Sequence, residues 1–188
     1  FTLAAPTDTR PTATDYWPTS AASFTDYDRG RQLDAFVGFW YADYGSAYQG
    51  VQAQLYKGAG SGAFSSVTVA AGLQTTEDGF EQGTNHRPSY GVAACDMNDD
   101  GAPELLVGAY GRQWNMLYQN DTHGHFAEVG LDAGYAGDTN YDYHDNENFR
   151  CFCSGAPSTP DCAGVTAPHI ACPNPPTASW GVGTDDRP

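Results

Sequence analysis

Nine residues near the middle of the chain, Asp96-Met97-Asn98-Asp99-Asp100-Gly101-Ala102-Pro103-Glu104, carry oxygen side chains at alternating positions. Asp96, Asn98 and Asp100 at positions 1, 3 and 5 point to one side of a tight loop, and Gly101 at position 6 permits the turn. Such a set suits a hard divalent cation of calcium's size, which takes its ligands from oxygen. A calcium loop held between two helices would need a bidentate Glu at position 12, which here is Val107. Instead the acid falls at position 9, Glu104, directly before an apolar run, Leu105-Leu106-Val107, that reads as a strand. The expected ligands are Asp96, Asn98, Asp100, Glu104 and the Ala102 carbonyl, with water completing the shell. The alternative is a solvated turn between two strands.

A second copy lies 70 residues upstream. Asp26, Asp28 and Asp34 match Asp96, Asn98 and Glu104, and Gln32 supplies the carbonyl that matches Ala102. This copy has Gly30 in place of the acid at position 5 and Arg31 in place of Gly at position 6, so it is expected to bind more weakly. The elements that follow the loops also repeat. Leu55-Tyr56-Lys57 and Gly62-Ala63-Phe64 recur 62 residues later as Leu117-Tyr118-Gln119 and Gly124-His125-Phe126, and Ala71-Gly72-Leu73 recurs as Ala133-Gly134-Tyr135. Each unit reads as metal loop, apolar strand, variable loop, L-Y strand, Gly-containing hairpin, Phe strand and A-G end. A repeat of this length with three or four short strands reads as one propeller blade.

The acidic loop, the apolar strand and the "LY" strand before a Gly-x-Phe turn resemble the FG-GAP/VCBS repeats of integrin α-subunit heads and of many secreted bacterial proteins. The A-G-L ending and the phrase Gly91-Val92-Ala93-Ala94-Cys95-Asp96-Met97-Asn98-Asp99-Asp100-Gly101 are most similar to the ASPIC/UnbV type. The resemblance covers about residues 24–135. It implies a β-propeller with calcium in each loop at a blade edge, and no shared enzymatic activity.

The chain as a whole reads as all-β. Gly numbers 22 and Pro 12, no long apolar stretch has a 3.6-residue period, and short Val/Tyr/Phe/Ala runs alternate with Gly/Asp/Asn/Ser clusters. We divide it into an N-terminal segment 1–23, a first repeat 24–80, a second repeat 81–137, an acidic and Cys-rich insertion 138–179, and the start of a third repeat at 180–188. That last assignment rests on Gly183-Thr184-Asp185-Asp186-Arg187-Pro188, which repeats the phrase Gly83-Thr84-Asn85-His86-Arg87-Pro88, with Thr9-Arg10-Pro11 as a weaker echo. About two and a half blades is short of the four or more that close a propeller. The expected partners are therefore further blades, from the same protein or from other copies in a homopolymer or filament.

Acidic residues outnumber basic ones 23 to 8, a net charge of −15 that repels nucleic acid and attracts cations. No stretch approaches the roughly 18 apolar residues of a membrane span, and the first residues, Phe1 to Pro6, read as a mature or trimmed end. Of five cysteines, Cys151, Cys153, Cys162 and Cys172 crowd into one segment without a periodic apolar pattern. They read as two disulfides rather than a zinc site, since paired C-x-x-C knuckles are missing, and they place the chain in an oxidising, extracellular compartment. Cys151 and Cys153 are too close in sequence to bond each other without strain. Cys95 is left as a buried thiol in a strand, or bonded outside the chain.

Residues 138–150 form an acidic, aromatic patch that either holds a cation or a sugar or is a solvated insertion. Asn120-Asp121-Thr122 is a glycosylation sequon at an expected hairpin tip. Gly58-Ala59-Gly60-Ser61-Gly62 reads as a turn, not a phosphate loop, and the five histidines show neither metal nor triad spacing. The expected function is a calcium-stabilised structural or adhesion module without catalysis. The alternatives are a glycan-binding propeller and the non-catalytic part of a larger secreted enzyme.

Overall fold

The structure, a computed structural model, describes residues 17–41, 50–77, 81–110, 113–137, 144 and 146–172. The phrases at 9–11 and 183–188, and most of the patch at 138–145, lie outside the described residues. Eight strands follow one another: β1 (Thr19–Thr25), β2 (Asp34–Phe39), β3 (Gln54–Gly58), β4 (Phe64–Ser66), β5 (Ser89–Cys95), β6 (Glu104–Ala109), β7 (Met116–Asn120) and β8 (Phe126–Glu128). They form two four-stranded antiparallel sheets, β1-β2-β3-β4 and β5-β6-β7-β8, in which neighbours in sequence are neighbours in space.

The spacing of 70 and then 62 residues is also the spacing of the hydrogen-bond registers. Thr25 faces Asp34 as Cys95 faces Glu104, and the same irregularity falls between Thr19 and Ala21 and between Ser89 and Gly91. Ala35 faces Tyr56 as Leu105 faces Tyr118, and Tyr56 faces Ser66 as Tyr118 faces Glu128. Each sheet therefore begins before its acidic loop, at Thr19 and at Ser89, so the first sheet reaches into the segment 1–23 that the sequence reading left outside it. The Gly58–Gly62 stretch lies where β3 ends and the chain turns back to β4, with Gly60 and Gly62 at positive φ, as read from the sequence.

Side chains alternate across a strand, and β2 uses both faces. Phe36 packs between the sheets with Leu55, Leu73, Leu105, Val107 and Trp114. Ala35, Val37 and Phe39 pack on the other face with Tyr56 and Val51, against Trp17 and Phe64. Fully burying a side chain such as Phe36 or Leu55 contributes about 2 kcal/mol. The phrase Asn85-His86-Arg87-Pro88 is buried where the sheets meet. There the Arg87 guanidinium lies 4.1 Å from the centre of a Trp114 ring, and Trp114 Nε1 donates to Asn85 O at 3.0 Å. Gly50 is required at this crossing, because a Cβ there would sit 2.3 Å from Pro88 N. His86 is held through both ring nitrogens, by Gly50 O and Thr75 Oγ1, each at 3.1 Å, and burial lowers its pKa.

Residues 139–188 form a separate compact unit. It contains a helix, α1 (Glu147–Gly155), and a short 3-10 turn at Pro160–Cys162. Asn146 caps α1 by accepting from Phe149 N at 3.1 Å. Two disulfides close the unit, Cys151–Cys172 and Cys153–Cys162. Phe149, Phe152, Cys153 and Cys162 make a small core of its own. The expectation of two disulfides holds, and in this segment without a periodic apolar pattern the bridges hold a helix against the small core. Glu147 accepts from His169 N, His169 Nδ1 and Arg150 Nη1, and these bonds, the backbone one foremost, lower its pKa to about 2. No described helix is long and apolar enough to cross a membrane.

Candidate metal centre

The connection from β1 to β2 is a loop whose carboxylates are turned inward. Asp26, Asp28 and Asp34 each present an oxygen, and these atoms lie within 4.8 Å of one another, the only such acidic, His or Cys group among the described residues. Local backbone bonds fix them. Asp34 is fully buried, with Oδ2 accepting from Tyr27 N at 3.1 Å and Oδ1 from Gly58 N at 2.8 Å. Asp26 Oδ2 accepts from Arg31 N at 2.8 Å, and Asp28 Oδ1 accepts from Gly30 N at 3.0 Å. Asp26 Oδ1 is buried and has no hydrogen-bond partner among the described residues. Burial raises the pKa of Asp34, and the charges of Asp28 and Asp26 add to that, while the two N–H donors oppose it. A cation is the group that would reverse this repulsion. In this structure part of that role falls to Lys57, whose ammonium bonds Asp28 Oδ2 and whose pKa is raised by that contact.

The second loop, from β5 to β6, has the same course but spends its oxygens on itself. Asp96 accepts from Asp100 N and Gly101 N at 3.1 and 2.8 Å, and Asp100 Oδ1 accepts from Ala102 N at 2.8 Å. Glu104 Oε2 accepts from Met97 N at 2.8 Å, as Asp34 does from Tyr27, and Asn98 Oδ1 accepts from Asp100 N at 3.0 Å. A basic side chain also covers this loop. Arg29 donates to Asp100 O at 2.5 Å and to Gly101 O at 3.2 Å, with its guanidinium 3.8 Å from Asp100 Oδ1. The sequence ranks this loop above the first because the first has Gly30 at position 5 and Arg31 at position 6; among the described residues three carboxylates converge within 4.8 Å at the first. The first loop keeps the form of the second although Arg31 stands where the second has Gly101. Arg29 and Arg31 take positive φ of 57° and 61°, matching Asp99 at 59° and Gly101 at 83°.

One further residue joins the loops to the sheets. Asn120, at the end of β7, is buried; its Nδ2 donates to Tyr27 O at 2.9 Å and to Pro103 O at 3.2 Å, so one amide ties both acidic loops together. Asn120 Oδ1 accepts from Thr122 N and Gly124 N. This corrects the reading of Asn120 as an exposed glycan acceptor, since a glycan on Nδ2 is incompatible with those bonds. Thr122, His123 and His125 form the turn, and both histidines are exposed. Cys95 lies in β5 but is exposed and free, which corrects the expectation of a buried thiol. Lys57, Arg29 and the clamp role of Asn120 went unread in the sequence. All three reach the acidic loop they contact from another strand or loop, and spacing alone gives no sign of that.

At the other end of the sheets, past β2 and β6, aromatic rings gather. Trp40 and Tyr110 are 4.5 Å apart by ring centres, and Tyr90 stacks on Tyr110 at 6.0 Å with 69% of its surface exposed. Comparison with protein-family models, curated proteins and solved structures gave no match.

Proposed function

We propose that this chain is a calcium-stiffened segment of a β-propeller of the FG-GAP/VCBS kind, secreted or displayed on a cell surface, serving structure or adhesion without catalysis. The observation that carries the reading is the convergence of Asp26, Asp28 and Asp34 within 4.8 Å, with Asp26 Oδ1 buried and unpartnered among the described residues. An all-oxygen set of this charge selects a hard cation, calcium before zinc. The three carboxylates and the Gln32 carbonyl would hold it, and its contribution is to turn carboxylate repulsion into a rigid joint between β1 and β2. The two disulfides and the excess of acid support an oxidising, extracellular setting.

The test is the melting temperature of the full chain with calcium and with excess chelator. At about 100 times the dissociation constant a single site adds about 2.7 kcal/mol, or roughly 5–10 °C for a chain of this size. Asp26→Asn should abolish the shift while leaving the chelated protein's melting in place. Lys57→Gln, which removes the competing ammonium from Asp28, should tighten binding. An identical melting temperature in calcium and in chelator would sink the reading.

The aromatic cluster favours a second reading, binding of a glycan at the end opposite the acidic loops, since exposed rings such as Tyr90 offer a flat apolar face to a sugar. Titration against a glycan panel decides it: saturable binding that Tyr90→Ala removes is the expected signature, and a panel without saturable binding excludes it.

A further inference from the structure

The internal repeat makes one surface of this molecule comparable with another. Residues of the first sheet that meet the second sheet have counterparts 70 or 62 positions on, and those counterparts face away from the first sheet. Tyr27 is 6% exposed and packs on Phe126, with ring centres 6.1 Å apart; its counterpart Met97 is 55% exposed. Phe36, Ala71 and Leu73 are buried between the sheets, while Leu106 and Tyr135 are half-buried and Ala133 is exposed. Cys95 shares this face, because it pairs with Glu104 two residues along β6 from Leu106. Leu117, the counterpart of Leu55 and the neighbour of Leu106 on this face, stays buried at 5%, so the difference lies in the residues around it. Val69 and Leu131, paired by the same offset on an outer turn, are exposed alike at 68% and 51%.

The backbone tells the same story. A Cβ on Gly72 would lie 2.9 Å from Phe126 O, and Phe126 N donates to Ala71 O at 2.9 Å, so the A-G end of the first sheet is docked on β8. Gly134, its counterpart, has φ of 71° against 80° at Gly72, and a Cβ there would meet nothing within 4 Å. The second sheet repeats the shape of a docked surface at a place where, among the described residues, a Cβ on Gly134 meets no neighbour.

We propose that this face, around Met97, Leu106, Ala133 and Tyr135, receives a further four-stranded sheet of the same repeat, one presenting the set that Leu105, Val107, Trp114 and Phe126 present to the first sheet. That sheet seats an aromatic ring on Met97, an amide like that of Asn120 on the Met97 carbonyl, and a strand N–H on Ala133 O. A second copy of this chain does not supply it. The matching face of β5–β8 is occupied by the first sheet, and on β1–β4 the matching residues Ala35, Val37, Phe39 and Tyr56 are already buried, with Phe24 exposed at the β1 edge. The occupant is therefore a further copy of the repeat and neither of the two sheets described. This inference needs only the repeat geometry and is independent of any cation.

The test appends a copy of residues 89–137 after Pro188, with Cys95→Ser in the appended copy, so that the phrase at 183–188 takes the place of 83–88. Cys95 is the only cysteine outside the two disulfides, and Met97 and Met116 are the only methionines, so a thiol reagent and peroxide both read the face directly. In the extended chain the reaction of Cys95 and the oxidation of Met97 should each slow at least about tenfold, with buried Met116 slow in both chains. Ala133→Lys in the original sheet should leave melting of the 188-residue chain unchanged and restore fast reaction in the extended one. Unchanged rates overturn the proposal, whether amide exchange shows the appended sheet folded or unfolded. So does loss of stability on Ala133→Lys in the 188-residue chain, which would mean the face is already covered. Protection that rises with the concentration of the 188-residue chain assigns the face to a second copy and overturns it as well.

Discussion

Replacing Trp114 with alanine is expected to lower the unfolding free energy of the two-sheet unit by about 4 kcal/mol, a fall of roughly 8–16 °C in melting temperature. Trp114 is among the largest fully buried side chains and stands where the sheets meet. Its removal takes away apolar contact with both sheets, the hydrogen bond to Asn85 O, and the ring face under the Arg87 guanidinium. Arg87 is itself buried, and a buried cation that loses a favourable contact adds to the cost. Trp114→Phe keeps a ring and should recover more than half of the loss. Denaturant titration followed by circular dichroism reads both variants. A cost below about 1 kcal/mol for Trp114→Ala would mean that the sheets are not held together through this ring.

The second large effect is expected from reduction. The unit 139–188 has a core of two phenylalanines and a pair of half-cystines, too little apolar surface to hold a nine-residue helix. Closing loops of 21 and 9 residues contributes about 3 kcal/mol each in the chain-entropy account, somewhat less together because the smaller loop lies inside the larger. Reduction should therefore melt α1 while β1–β8, which contain no bridge, stay folded. Amide exchange resolved by segment is the readout. Protection at Phe149–Gly155 that survives in reductant would show that packing, not cross-linking, holds the helix.

The frame of the sheets was legible in the sequence because turn chemistry and apolar runs repeat together. The offsets of 70 and 62 read from Asp26, Asp96, Leu55 and Leu117 are the offsets of the strand registers. A strand before each loop was legible, with Cys95 placed in one, but its extent was not. Thr19-Ser20-Ala21-Ala22-Ser23-Phe24-Thr25 and Ser89-Tyr90-Gly91-Val92-Ala93-Ala94-Cys95 are dominated by small residues with weak strand preference, and pairing with β2 and β6 is what makes them strands. Helix α1 left a trace that could have been followed: Asn146 as a cap, an acid at Glu147, and Phe149 and Phe152 three apart on one side. Cys95 and Asn120 were misplaced for a different reason. Their exposure depends on which sheet lies beside them, and no local pattern carries that. Arg29, arriving from 72 residues away to cover the second acidic loop, is equally outside any local pattern.

The clamp made by Asn120 has a consequence for how the chain comes into being. Both sheets are meanders, so β1–β4 can pair completely as soon as they leave the ribosome, each strand with the one just made. The Tyr27 carbonyl, however, waits for an amide 93 residues further on. At synthesis rates of 5–20 residues per second, that is roughly 5–20 s. Through that interval the first sheet carries Phe36 and Leu55 bare towards its absent neighbour, at the stage when a nascent chain is most open to chaperones and to sticking to its like. Vectorial growth thus gives the first sheet its strands early and its partner late.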